Sequence, residues 1–249
     1  MRGLYTALTA LSVGQARLEV TSNNLANERT PGYKKDRTQQ SSFQEMLIAA
    51  LPKANRRMTA NPRGRIAHGV ALSEINTLHT EGVLEYTERM LDLAIVGEGF
   101  FVVETPQGFR LTRNGNFHLN DEGFLVTPQG DYLRGENGPL AVGEEPLIDR
   151  DGNIYVGERL IDRLELVMPA ADAELVKEGN GYFRVDGQLE LFPAAVNIYQ
   201  GYLEGANVDL AQEMVELVRI RRSYEAARGV VATYDQLLSR GANEVGTLR

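Results

Sequence analysis

Histidines and carboxylates are the side chains of this sequence with the most obvious chemistry. The three histidines, His68, His79 and His118, fall at no H-x-x-x-H or HExxH spacing, so no zinc motif is present. The chain contains no cysteine, which removes thiolate metal sites, cysteine nucleophiles and disulfides together. No G-x-S-x-G elbow holds a serine for a His/Asp relay. Gly97-Glu98-Gly99 begins like a dinucleotide loop, but the third glycine is missing. Phe100-Phe101-Val102-Val103 follows as a strand, leaving no helix N-terminus to receive a pyrophosphate. Asp149-Arg150-Asp151-Gly152-Asn153 begins like a calcium loop and lacks the glutamate that would close it. Carboxylate pairs for glycoside hydrolysis cannot be read from spacing alone. No catalytic, cofactor-binding or metal-ligating residue is assigned, and no cofactor is expected.

The two ends of the chain carry a stronger signal, a helical periodicity. Leu4, Leu8, Leu11, Leu18 and Leu25, with Gln15 and Ser22 filling the gaps, step 4-3-4-3-4-3 as a heptad seam. Leu217, Ile220, Tyr224, Ala227, Val231, Tyr234 and Leu238 repeat that seam near the other end. A helix over 209–240 would run about 48 Å at 1.5 Å per residue. Asn207 or Asp209 would cap it and Gly241 would end it. Two seams at the ends and none between favour pairing of helices with each other; packing of the C-terminal helix on its own domain is the alternative.

The middle differs in kind. Ten of the 25 glycines lie between Gly97 and Gly152, and short apolar runs alternate with turn signals. Asn114-Gly115, Glu122-Gly123, Gln129-Gly130 and Asp151-Gly152 read as hairpin-type turns. The fold class is therefore α+β: N- and C-terminal helices forming a coiled-coil domain, an extended connector, and a central all-β domain of short antiparallel strands. The expected divisions are an N-terminal helix over 1–28, a basic connector over 29–80, a β domain over 81–205 and a C-terminal helix over 206–249 that packs with the first.

Residues 28–65 hold nine Lys/Arg against three Asp/Glu, in a chain of net charge −8. That overall charge argues against general nucleic-acid binding. A basic connector and an acidic remainder suit charge pairing between copies, or the connector is simply solvated. No apolar run reaches the roughly 18 residues that span a bilayer, so no membrane insertion is expected. The opening MRGLYTALTALSVGQ reads as a mature helix and not a cleaved signal peptide.

The stretch SNNLANERTPGYKK, residues 22–35, ends the first helix on amides, a Pro-Gly turn and an aromatic. It resembles the N-terminal signature of the flagellar rod, hook and hook-associated axial family. Asn23, Asn24, Leu25, Ala26, Asn27, Thr30, Gly32, Tyr33 and Lys34 carry the match. LDLAIVGEGFFVV, residues 91–103, looks like the start of that family's β domain, and residues 199–238 look like its C-terminal helix. The chain lacks the large insertion of hook proteins and has the β domain that the smallest rod proteins lack, so it looks like a rod subunit of the FlgF/FlgG type.

The resemblance implies a structural subunit of the flagellar basal-body rod, polymerising helically with copies of itself into a shaft that carries torque to the hook. Its implied partners are other flagellar rod and hook proteins and the flagellar type III export apparatus. The implied location is the basal body in the cell envelope, reached without cleavage of a signal peptide. Asn23, Asn24, Leu25, Ala26, Asn27, Pro31, Gly32 and Tyr33 would form a packing joint, with Pro31 stopping the helix and Tyr33 anchored on the neighbouring helix. Phe43 and Leu47 resemble a Phe-x-x-x-apolar element for the export gate. A wall-degrading enzyme associated with the rod and a cytoplasmic coiled-coil adaptor are the rival readings.

Overall fold

The computed structural model describes residues 2–42, 46–49, 62–66, 69–143, 146–170, 174–186, 191–193 and 196–246. They form two compact units: Met1–Leu25 with Asp36–Asn76 and Asp209–Arg249, and Ala26–Lys35 with Thr77–Val208.

In the first unit, helix α1 (Arg2–Ala26) and helix α2 (Leu210–Gly246) are the long elements. The α2 N-terminus is capped by Asp209, whose carboxylate accepts the Gln212 N–H at 3.1 Å. Gly241 does not end α2, contrary to the sequence reading. No proline follows it, and a glycine inside a helix costs only about 1 kcal/mol relative to alanine, so the helix runs on to Gly246. Strands Asp36–Ser42 and Val70–Thr77 pair in one two-stranded sheet, and Met46–Ala49 and Pro62–Ile66 in another.

The second unit is built on a large antiparallel sheet. Its strands run in the order Glu174–Glu178, Tyr182–Asp186, Gly108–Thr112, Phe100–Thr105, Tyr132–Gly135, Leu125–Val126, His118–Leu119. The run Phe100–Val103 is buried on both faces, which is why it reads as unbroken apolar sequence. Phe101 and Val103 join Phe117, Leu133, Leu140 and Ile154 in the main core. Phe100 and Val102 point the other way, to Leu111, Val167 and Phe183. Each fully buried aromatic of this kind contributes roughly 1.5–3 kcal/mol of transfer free energy.

A three-stranded sheet of Leu147–Ile148, Asn153–Val156 and Arg159–Arg163 and two short pairs also belong to this unit. Asn197–Gln200 pairs with Leu93–Val96, and Tyr202–Glu204 with Leu84–Tyr86. Gly123, Gly130 and Gly152 take positive φ at their turns, as their sequence contexts indicate. Gly115 does not. It is glycine because a Cβ there would overlap the Leu93 carbonyl, and the Leu93 N–H donates to the Gly115 carbonyl at 3.0 Å.

Candidate functional site

Two places gather the residues singled out in the sequence: the chain between α1 and the first strand, and the facing sides of the two helices.

Helix α1 ends at Ala26, five residues before Pro31. Two successive turns follow, closed by Thr30 N–H to Asn27 O at 3.0 Å and Tyr33 N–H to Thr30 O at 3.2 Å. The second has Pro31 and Gly32 at its centre, with Gly32 at φ 68°, the residue pair that a type II turn selects. A side chain on Gly32 would also overlap the Arg113–Asn114 peptide. Asn24 is 2% exposed and clamps Asp36: its Nδ2 donates to Asp36 O at 2.9 Å, and its Oδ1 accepts the Asp36 N–H at 3.0 Å.

Tyr33 is held by the β body. Its ring is covered by the Lys177 ammonium, 3.9 Å from the centroid, and Lys177 stands in a β-strand of the body and also donates to Lys34 O at 2.8 Å.

Lys34 is the larger surprise. The sequence places it in a basic connector; the structure buries it to 1% exposure. Its Nζ donates to Glu204 Oε1 at 2.5 Å and to Thr80 O at 2.8 Å. Glu204, also 1% exposed, accepts the Gly82 N–H at 2.9 Å and Arg113 Nη1 at 3.3 Å. Arg113 in turn donates Nη2 to Gly97 O at 2.7 Å. Burial lowers the Lys34 ammonium below the ordinary lysine value, opposed by the bond to Glu204. Burial likewise lowers Arg113, with Glu204 opposing. Glu81 and Glu98 add negative potential around the two cations.

Beside these groups the chain runs against its own later part. Gly32 N–H donates to Glu204 O at 2.7 Å, Asn207 N–H to Tyr33 O at 3.3 Å, and Lys35 N–H to Asn207 Oδ1 at 2.7 Å. Asn207, one of the two cap candidates, instead bridges: its Nδ2 donates to Leu78 O at 2.7 Å and Thr80 Oγ1 at 2.9 Å.

Helices α1 and α2 meet in antiparallel sense. A Cβ on Gly3 would stand 2.5 Å from the Tyr234 hydroxyl, a Cβ on Gly14 3.2 Å from the Tyr224 ring, and Arg17 pairs with Glu216. On α2 the seam lies on the covered side: Ile220 is 3% exposed, and Leu217, Tyr224, Ala227, Val231 and Tyr234 are half-buried. Leu238, 58% exposed, lies off it. On α1 the covered side is not the leucine series. Its buried residues are Ala7, Val13, Thr21 and Asn24, and the half-buried Ala10, Gly14 and Arg17 continue the spacing of Ala7, Thr21 and Asn24, displaced by one residue from the leucines. Leu4, Leu11, Leu18 and Leu25 are half-buried and Leu8 is 47% exposed. Small residues on one helix admit the two tyrosines of the other, a signal present in the sequence but overshadowed by the leucines. Leu47 stands in the strand Met46–Ala49, and Phe43 lies outside the described residues.

The chemistry of the other polar groups is local. Asp149 accepts the N–H groups of Asp151 and Asn153 at 3.0 and 2.8 Å and the Asn153 amide at 2.8 Å, closing its own turn. His79 packs edge-on to Phe100 and Phe183. A cleft of about 290 Å³ between Val102, Phe109, Leu111 and Phe183 carries Arg110 and Arg134 on its rim, the former bonded to Glu178 and the latter to Glu104 and Glu165. Among the described residues no three His, Asp or Glu side chains group as metal ligands, and no helix is long and apolar enough to cross a membrane.

Two end helices that meet each other, and a middle of short antiparallel strands tied to the connecting chain by a buried ion pair, define an α-ended, β-bodied class of protein. Three family models match in chain order: the flagella basal body rod protein model over residues 4–34, the flagellar hook protein FlgE/F/G D1 domain over 94–162, and the flagellar basal body rod FlgEFG protein C-terminal model over 199–244. The chain is 31% identical to the flagellar basal-body rod protein FlgG of Buchnera aphidicola subsp. Acyrthosiphon pisum, over 95% of this chain and 97% of that one. It is 31% identical to FlgG of Agrobacterium fabrum over 96% and 97%, and 28% identical to the flagellar hook-basal body complex protein FlhO of Bacillus subtilis over the full length of both. The chain belongs to the flagellar basal-body rod protein family, of FlgF/FlgG type, and is a structural subunit of the rod.

Proposed function

We propose that this subunit polymerises helically with copies of itself and with other rod and hook proteins, forming the shaft that transmits torque to the hook. The observation that carries the reading is the apolar surface left on the helices after they meet each other. On α2, Met214, Val215, Val218, Val230, Leu237 and Leu238 are 45–62% exposed, and on α1 Tyr5 and Leu8 are 52% and 47% exposed. Apolar rows of this length on a monomer mark contact sites, and one type of surface docking on a different one builds an open filament. The occupant is a second copy, and the leucine series of α1 belongs to that contact. Coiled-coil geometry of the end helices, their role as the inner layer of the shaft and the mechanical, non-enzymatic nature of the work are parts of this reading.

The subunit reaches the basal body through the flagellar type III apparatus without cleavage, using Phe43 and Leu47 at the export gate. The test of polymerisation is the pair Met214→Asp and Val218→Asp, two exposed positions one turn apart. Placing charges on that row costs assembly while leaving the α1–α2 contact in place. Short or missing rods with an unchanged melting profile of the purified chain support the reading. Complete rods built from the variant contradict it.

A further inference from the structure

The segment after α1 and the segment before α2 lie side by side through three hydrogen bonds, Gly32 to Glu204 O, Asn207 to Tyr33 O and Lys35 to the Asn207 side chain. Short backbone pairings of this kind define register weakly, because a slide by two residues restores much of the pattern. Three features single out one alignment. The Lys34 ammonium faces the Thr80 carbonyl and the Glu204 carboxylate, the Glu204 carboxylate faces the Gly82 N–H, and Arg113 reaches both that carboxylate and the Gly97 carbonyl. In any other register Lys34 would be a buried cation without its acceptors and Glu204 a buried anion short of a donor.

Stability alone does not account for such a cluster, since apolar residues of similar volume commonly replace a buried ion triad without loss; fixing a register is its best-attested use. We propose that Lys34, Glu204 and Arg113 form a register lock, with Lys34 the positioning residue that admits a single alignment of residues 32–35 on residues 204–207. Lys34 and Glu204 are 170 residues apart, so the lock closes only when nearly the whole chain is available. The lock also has a direction. The backbone offers a carbonyl to position 34 and an N–H to position 204, so exchanging the two charges puts a carboxylate against a carbonyl and an ammonium against an N–H. This inference does not depend on how copies of the chain assemble.

The test is amide hydrogen exchange on the full-length chain. The triple variant Lys34→Met/Arg113→Met/Glu204→Leu removes the triad and keeps its apolar volume. The reporting amides are Gly32, Lys35 and Asn207, none of which donates to a triad side chain; Leu125 and Leu140, bonded within the body, are the reference. The lock predicts exchange at least tenfold faster at the three reporters with the two references unchanged. It also predicts the same selective loss in the charge exchange Lys34→Glu/Glu204→Lys. Unchanged protection at the reporters would show that the register holds without the triad, and equal loss at reporters and references would make the triad a general stabiliser; either overturns the proposal. If the triple variant does not fold, Lys34→Met/Glu204→Gln, which keeps an acceptor for Gly82 and Arg113, is read by the same criteria.

Discussion

Gly14 of α1 faces the ring of Tyr224 in α2 so closely that a Cβ would stand 3.2 Å from the ring edge. The approach of the two helices is therefore set by the absence of a side chain on one and the presence of an aromatic on the other. Gly14→Val forces the tyrosine or the helix aside, at about 1–3 kcal/mol. We expect the helical far-UV signal of the purified chain to melt earlier while the β body keeps its transition. An unchanged helical melt would show that the contact does not set the packing.

Ile220 is the most covered residue of the α2 seam, 3% exposed. Ile220→Ala should cost about 2–5 kcal/mol in the unit that contains both helices. Limited proteolysis reads the outcome: the variant should lose its ends faster than the wild type and leave the same β fragment. Equal rates of trimming would mean that the seam adds little.

Gly32 combines a positive φ with direct apposition to the Arg113–Asn114 peptide. Gly32→Ala meets both obstacles, and the backbone strain alone is on the order of 1–3 kcal/mol. The β body should melt several degrees lower, whereas Gly130→Ala, where φ is also positive but the space is open, should fall by less. Equal losses at the two sites would remove the close approach from the account.

Glu178 lies between Arg110 and Arg184, bonded at 2.6 and 2.9 Å, and the Arg110 bond holds its carboxyl below the ordinary carboxylate value. A carboxylate with a depressed folded value contributes stability above its unfolded value, and that contribution is lost as pH falls through the folded one. The wild type should therefore melt higher than Glu178→Gln near neutrality, and the gap should close in acid below the ordinary carboxylate range. A gap independent of pH would assign the effect to packing. The group is well solvated, so the difference is small.

Phe43 and Leu47 enter through their resemblance to an export element. Phe43→Ala should reduce secretion of the chain while its melting profile stays as in the wild type. Normal secretion would remove Phe43 from the export reading and leave the N-terminal helix as the remaining candidate.

The parts of the fold visible in the sequence are those set by neighbours in the chain. The heptad spacing of Leu217 to Tyr234 marks the covered face of α2, the Phe100–Val103 run marks a strand buried on both faces, and Pro31-Gly32 marks a turn. What was hidden depends on distant partners. Lys34 looks like surface charge because Glu204 lies 170 residues away. Gly115 looks like a turn residue because only the folded chain brings the Leu93 carbonyl against it. The face that α1 turns to α2 is hard to read for another reason: large residues dominate a periodicity search, whereas here Gly3, Ala7 and Gly14 make the contact by being small.

Purified basal bodies test the central claim most directly. In cells whose only copy of this chain carries an epitope in the exposed turn Pro128–Gly130, electron microscopy should find label along the rod, and deletion of the chain should leave rods short or absent. Complete, unlabelled rods in the tagged strain, or complete rods in the deletion strain, would contradict a structural role in the shaft.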